Sequence, residues 1–198
     1  MSSRLPAMVL NHIRSRLADY EPLRVEGSLI SRAAVAMILR DRGDDTEVLL
    51  IQRAEREGDP WSGHMALPGG RQARADRDVI HTAARETREE VGIDIQTHGQ
   101  VLGVLDELRA IAGHGPIDLV ISPIVWDLRA PVEPSPCCAE VEDTVWVPLS
   151  FLQRPTARGI YRCALDGIEQ EYPAYCYRGY TVWGLTHRIL SRFLELVR

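Results

Sequence analysis

The chain contains no lysine: all 23 of its basic side chains are arginine, set against 28 carboxylates for a net charge of -5. Schiff-base chemistry and the Walker-type phosphate loop both require lysine and are excluded. Any cation that grips phosphate here must be a guanidinium, which can hold two phosphate oxygens at once. The acidic balance gives no global electrostatic hold on a nucleic-acid backbone, so no nucleic-acid partner is expected. Long apolar runs are also missing. None approaches the ~20 residues of a spanning helix, and Met1 to Tyr20 has no signal-type apolar core. A soluble, cytoplasmic protein without a membrane partner is the expectation. The four cysteines at 137, 138, 163 and 176 show no Cys-x-x-Cys spacing. Reduced thiols are expected rather than a zinc site or a disulfide framework.

What remains is the composition of a globular domain. Of the 198 residues, 45% are hydrophobic and 26% charged, enough to bury a real core. Pro6 to Tyr20 reads as an amphipathic helix with Val9, Ile13, Leu17 and Tyr20 on one stripe. Strand-like runs follow at Ala33–Leu39 and Thr46–Arg53, joined by a hairpin-type Asp-Arg-Gly-Asp-Asp connection. A turn-rich loop, Gly58 to Gly63, leads to a short apolar piece at Met65–Leu67 and then to Pro68-Gly69-Gly70. Asp78 to Val91 is the clearest helix, closed by Gly92 where a left-handed cap is favoured. Further strands are expected at Gln100–Leu105, Leu119–Trp126 and Thr144–Val147. A helical turn at Ser150–Gln153, an aromatic hairpin at Tyr172–Trp183 and a closing helix at Leu185–Val197 complete the reading. The organisation is one α/β domain with helices at both ends, residues 1–30 forming an N-terminal helix and lead-in.

On a helical wheel at about 100° per residue, Glu86, Glu89 and Glu90 share an arc of roughly 100°. Ile80, Ala84, Thr87 and Val91 form a separate apolar stripe suited to packing on a sheet. His81, Arg85 and Arg88 fall on the remaining side, where His81 is expected to do nothing special. Thr82 and Ala83 lie beside the carboxylates, small enough to leave room for a ligand. Three acids on one arc repel each other, and towards a helix C-terminus the macrodipole disfavours them as well. The helix alone reads as a solvated acidic face salt-bridged to Arg85 and Arg88, or as the oxygen cluster that hard divalent cations such as Mg²⁺ or Mn²⁺ seek.

The stretch from Gly70 to Ile93 closely resembles the box of the Nudix family. Its ending, Arg85-Glu86-Thr87-Arg88-Glu89-Glu90-Val91-Gly92-Ile93, matches that pattern in full. Upstream, the first acid is Asp76, and eight residues rather than seven separate it from Arg85. The extra residue works against the Asp76–Arg85 pairing that the analogy implies and leaves the carboxylate triad untouched. The resemblance implies an α/β/α sandwich with a mixed sheet, the box forming a strand–loop–helix. It also implies Mg²⁺ or Mn²⁺ held by Glu86, Glu89, Glu90 and the Gly70 carbonyl. The implied chemistry is attack of water on a diphosphate joined to another group.

Leu49-Leu50-Ile51-Gln52-Arg53 and Gly63-His64-Met65-Ala66-Leu67-Pro68-Gly69-Gly70 resemble the coenzyme A pyrophosphatase branch, with His64, Met65 and Leu67 departing from its Gln, Val and Phe. That branch implies hydrolysis of coenzyme A or an acyl-CoA to 3',5'-ADP and 4'-phosphopantetheine. The alternatives are another nucleotide substrate, such as ADP-ribose or NADH, and a non-catalytic ligand sensor. Arg53, Arg71 and Arg74 are candidate phosphate grips. His64 either donates to substrate or caps its loop, the cap being favoured. Trp61 either stacks on an adenine or pins its loop, while Trp146 and Trp183 are expected in the core. The general base is Glu90, or else Glu140 or Glu142 from a distal loop. A homodimer is compatible with the sequence and not required by it.

Overall fold

The computed structural model describes residues 9–27, 31–56, 62–112, 115–136, 138–165 and 168–198. Trp61, Cys137, the start of the first helix and most of the Gly58–Gly63 loop lie outside them. In chain order the first elements are α1 (Leu10–Ala18), β1 (Ser31–Asp41), β2 (Thr46–Arg53), β3 (Met65–Ala66) and β4 (Gly69–Arg71). The central helix α2 (Val79–Val91) and a turn of helix, α3 (Ile95–His98), lead to β5 (Gly99–Val104), β6 (Leu108–Ala112) and β7 (Gly115–Leu128). Then come β8 (Val141–Pro148), α4 (Leu149–Leu152), β9 (Arg158–Leu165), β10 (Ile168–Tyr177), β11 (Tyr180–Trp183) and α5 (Gly184–Leu196).

Eight strands form one mixed sheet with the path β3-β2-β1-β7-β5; β4 pairs with β1, β6 with β7 and β8 with β2. The β1–β7 pairing is parallel and the others are antiparallel. A second sheet has the order β11-β10-β9. Strand alternation sends β1 into two cores. Ala34, Ala36 and Ile38 face α2, together with Leu49, Ile51, Ala83, Ala84 and Val91. Met37 and Leu39 face the other layer, with Ile13 and Leu17 of α1 and Ile189, Leu190 and Phe193 of α5. The result is the expected α/β/α sandwich. β6 and β9 were not expected from the sequence: Arg158-Gly-Ile-Tyr-Arg-Cys shows no clean apolar alternation, because this strand has neither face in a fully buried core.

The wheel needs a correction. The buried residues of α2 are Thr82, Ala83, Ala84, Thr87, Glu90 and Val91, and Ile80 is only partly buried. Thr82 and Ala83 do not leave ligand room; they are fully buried. Opposite Ala34 and Ala36, these small side chains let the helix lie close to the sheet, which turns its packing face towards Glu90.

Candidate active site

α2 starts and stops where its ends are satisfied. Asp78 accepts from the His81 N–H as N-cap, and Gly92 takes a left-handed φ of 70° as its amide reaches the Arg88 carbonyl. The short β4 holds the Gly69-Gly70 turn against β1, in register with Val35 and Ala34. Ala36 N–H donates to the Pro68 carbonyl at 2.7 Å. Both glycines are needed for close approach. A Cβ on Gly69 would strike the Ala34 carbonyl, and one on Gly70 would lie 2.5 Å from the Glu86 carboxylate.

Against this turn the three box carboxylates differ. Glu90 is 5% exposed and accepts from the Gly69 N–H at 2.8 Å. Burial pushes its carboxyl up to about 8; the Gly69 N–H and the Arg53 charge offset part of that, while Glu86 and Glu140 add to it. Glu86 is half-buried and its pKa is also raised, by burial first, against the pull of Arg85. Its Oε1 lies 2.8 Å from Arg85 Nη2. Glu89 is exposed and pairs with Arg85 Nη1 at 3.0 Å. Among the described residues no three acidic, histidine or cysteine side chains converge as a finished metal cage. Arg85 occupies two of the acids and Gly69 the third. The donor set is nevertheless all hard oxygen, gathered beside a backbone that has no Cβ to obstruct it.

Asp76 does pair with Arg85, a correction to the sequence reading: Nε lies at 3.1 Å and Nη2 at 3.0 Å. The loop takes up the additional residue, and Arg85 Nη2 also reaches the Arg71 carbonyl at 3.1 Å. Asp76 accepts further bonds from the Ala73 N–H and Thr82 Oγ1, with His81 Nδ1 at 3.0 Å. His81 is therefore part of a buried network rather than a bystander. The Arg85 hydrogen bonds hold the Asp76 carboxyl well below the usual carboxylate range.

The remaining candidates scatter around this centre. Arg53 stands at the end of β2, where the register with β8 shifts, and its charge acts on Glu90. Arg71 and Arg74 are exposed on the loop side of Gly70. His64 is half-buried: its carbonyl accepts from the Arg53 N–H at 3.0 Å, and its ring stands edge-on to Trp183 at 4.8 Å. Glu140 pairs with Arg56 at 3.0 Å and its charge reaches Glu90, whereas Glu142 is exposed. Trp146 packs, partly buried, against the core beneath α2, whereas Trp183 does not join a buried cluster. Trp146 lies half-buried under the Arg40 guanidinium, and Trp183 stacks on Tyr161 at 4.0 Å. The sequence reading missed Tyr161 altogether; its strand lacked a pattern that would have drawn attention to it.

A mixed-sheet sandwich with a Pro-Gly-Gly turn laid against an acidic helix defines the fold class. The NUDIX domain model matches residues 30–166, and the chain belongs to the Nudix family of hydrolases. It is 31% identical over 159 residues to the mitochondrial coenzyme A diphosphatase NUDT8 of Homo sapiens, covering 76% of this chain and 62% of that protein. The Mus musculus protein of the same name is 30% identical over 187 residues, covering 88% and 83%. An uncharacterised protein of Schizosaccharomyces pombe is 41% identical over 135 residues, covering 65% of this chain. The chain thus spans less than two thirds of the human relative and 40% of the yeast one. Among solved structures, a MutT/nudix family protein from Enterococcus faecalis superposes with a TM-score of 0.53 at 19% identity, covering 95% of this chain and 69% of that one. The likeness of that structure concerns the fold. No helix among the described residues is long and apolar enough to cross a membrane. The human relative is named as mitochondrial, so the cytoplasmic expectation receives no support from it.

Proposed function

We propose that this enzyme hydrolyses the diphosphate of coenzyme A or an acyl-CoA, giving 3',5'-ADP and (acyl-)4'-phosphopantetheine, with Mg²⁺ or Mn²⁺. The observation that carries the reaction class is the pair of half-satisfied carboxylates, Glu86 and Glu90, pressed against the Gly69-Gly70 backbone. Both have their charged form disfavoured by burial, and a divalent cation would restore it. Glu86, Glu89, Glu90 and the Gly70 carbonyl would hold that cation. When bound, it supplies charge neutralisation at the phosphate oxygens and a more acidic water.

The chain's own residues then orient the substrate and move the proton. Gly69 and Gly70 allow the diphosphate to approach the backbone. Arg53, whose charge acts on Glu90, and Arg71 and Arg74, which follow Gly70 closely in the chain, provide the charge for the phosphates in a chain without lysine. Glu90, whose carboxylate form the bound cation would favour, or Glu140, whose charge reaches it, accepts the proton of the attacking water. His64 serves this site through its loop: its carbonyl accepts from the Arg53 N–H and its ring packs edge-on to Trp183.

The substrate assignment draws on the coenzyme A diphosphatase names of the human and mouse relatives and on the branch motif around Pro68. Hydrolysis of coenzyme A, acetyl-CoA, ADP-ribose, NADH and dinucleoside polyphosphates in Mg²⁺ tests it. Coenzyme A and acetyl-CoA should be cut fastest, with the thioester left intact. Fast ADP-ribose turnover beside none with coenzyme A would overturn the substrate.

A further inference from the structure

The second sheet presents two unlike faces. One is covered by α5, with Tyr175, Tyr177 and Val182 in the core beside Ile189 and Phe193. The other bears Tyr161, Tyr172 and Trp183. Tyr172 is the direct cross-strand partner of Tyr161, and Trp183 pairs with Ala174 two residues along β10. Period-2 alternation puts these three rings together. Tyr161 and Trp183 stack at 4.0 Å and 17°, and Tyr172 tilts against Trp183 at 5.3 Å. All three rings stay half-buried, unlike the aromatic residues on the α5 face.

His64 packs across this cluster, edge-on to both Trp183 and Tyr161. It immediately precedes β3, and five residues further on stands Gly69, whose amide holds Glu90. Five residues of chain span at most about 17 Å. β11, which carries Trp183, also packs on β3, so one short stretch of chain joins the aromatic face to the turn that holds Glu90. Tyr161 has one face on Trp183, and its other face has no ring partner among the described residues.

Building on the substrate class proposed above, we infer that the Tyr161–Trp183 stack is the wall on which the substrate's adenine ring lies, Tyr161 offering the contact face and Trp183 backing it. A flat base gains from a flat, preorganised ring pair, and stacking is tolerant of the exact base. The face also explains why these aromatics are left partly in water while those on the α5 side are buried.

The test combines kinetics with equilibrium binding of the two product halves. Tyr161→Ala should raise the KM for coenzyme A by about tenfold or more, with kcat changed less than twofold. It should weaken binding of 3',5'-ADP by a similar factor and leave that of 4'-phosphopantetheine, which has no base, unaltered. Tyr161→Phe should restore both. In the wild type, 3',5'-ADP should quench tryptophan fluorescence, and Trp183→Phe should remove most of that signal. Unchanged 3',5'-ADP affinity in Tyr161→Ala would overturn the wall, even with coenzyme A confirmed as substrate. Loss of 4'-phosphopantetheine binding alongside 3',5'-ADP would overturn it too, pointing to a general structural role. Should ADP-ribose prove to be the substrate, a Tyr161-dependent KM for it would uphold the wall while sinking the coenzyme A reading.

Discussion

Two carboxylates are buried on the same loop–helix unit, and they are treated in opposite ways. Asp76, in the loop just before α2, accepts bonds from Arg85, Thr82 and the Ala73 amide, with His81 at 3.0 Å. Glu90, near the end of the helix, accepts one backbone N–H and faces the negative charges of Glu86 and Glu140. The first acid is held down and the second pushed up to about 8. An acid whose oxygens are fully partnered contributes to the fold. One that is buried with little compensation has its charged form disfavoured, which is the condition the proposed cation site would relieve. Arg85 joins the two ends, with its Nε and Nη2 on Asp76 and its outer nitrogens on Glu86 and Glu89.

The largest effect should come from the under-satisfied end. Glu86→Gln or Glu90→Gln should lower turnover by about a hundredfold or more, because the proposed cation site would lose a ligand. Folding of the metal-free variants should be unharmed or slightly improved. Near wild-type turnover of both in saturating Mg²⁺ would dissolve the contrast with Asp76.

At the satisfied end the expectation reverses. Asp76→Ala removes the acceptor of several charge-assisted bonds and leaves Arg85 without its main partner. It should cost about 2–3 kcal/mol in urea unfolding. Retained stability would mean that the network is ornamental and that Asp76 does not differ from Glu90 in kind.

How visible this contrast was in the sequence depended on the kind of signal. α2 was legible because its cap, periodicity and terminal glycine agree, and β2 because its apolar run is unbroken. The sense in which α2 turns its face to the sheet was not. A wheel groups Glu90 with the other acids and gives no hint that Gly69 would take it inward. Nor could spacing foresee that the Arg71–Asp78 loop would absorb one residue and still deliver Asp76 to Arg85, since that depends on Ala73 turning its amide onto the same carboxylate.

A pH series on the metal-free protein should separate the two acids again. Glu90 has a folded pKa of about 8 against an ordinary 4.5. Its contribution to stability is complete below about pH 4.5 and is lost as pH rises through about 8. Asp76 works the other way: its contribution is present above the ordinary value and is lost as pH falls through its depressed one. Stability should therefore decline from mildly acidic pH towards pH 8, and Glu90→Gln should flatten that limb. Added Mg²⁺ should flatten it too, by favouring the charged form. A wild-type limb between pH 5 and 8 no different from that of Glu90→Gln would contradict the burial of Glu90.

The smallest effect sharpens the comparison by supplying its reference. Arg88 sits one helical turn from Arg85, yet it is exposed, and no ion pair joins it to another described residue. Its charge lies in the last turn of α2, where a cation is mildly favourable, and reaches Asp94 only through solvent-screened attraction. Arg88→Ala should therefore change stability by no more than about 0.5 kcal/mol and leave turnover alone. Arg85→Ala, tested beside it, releases Asp76, Glu86 and Glu89 together and should reproduce much of the Asp76→Ala loss. If the two arginine variants were equally mild, the bridge between the satisfied and strained ends of the helix would be a geometric coincidence. The pKa contrast would then rest on the Ala73, Thr82 and His81 bonds at Asp76 against burial at Glu90.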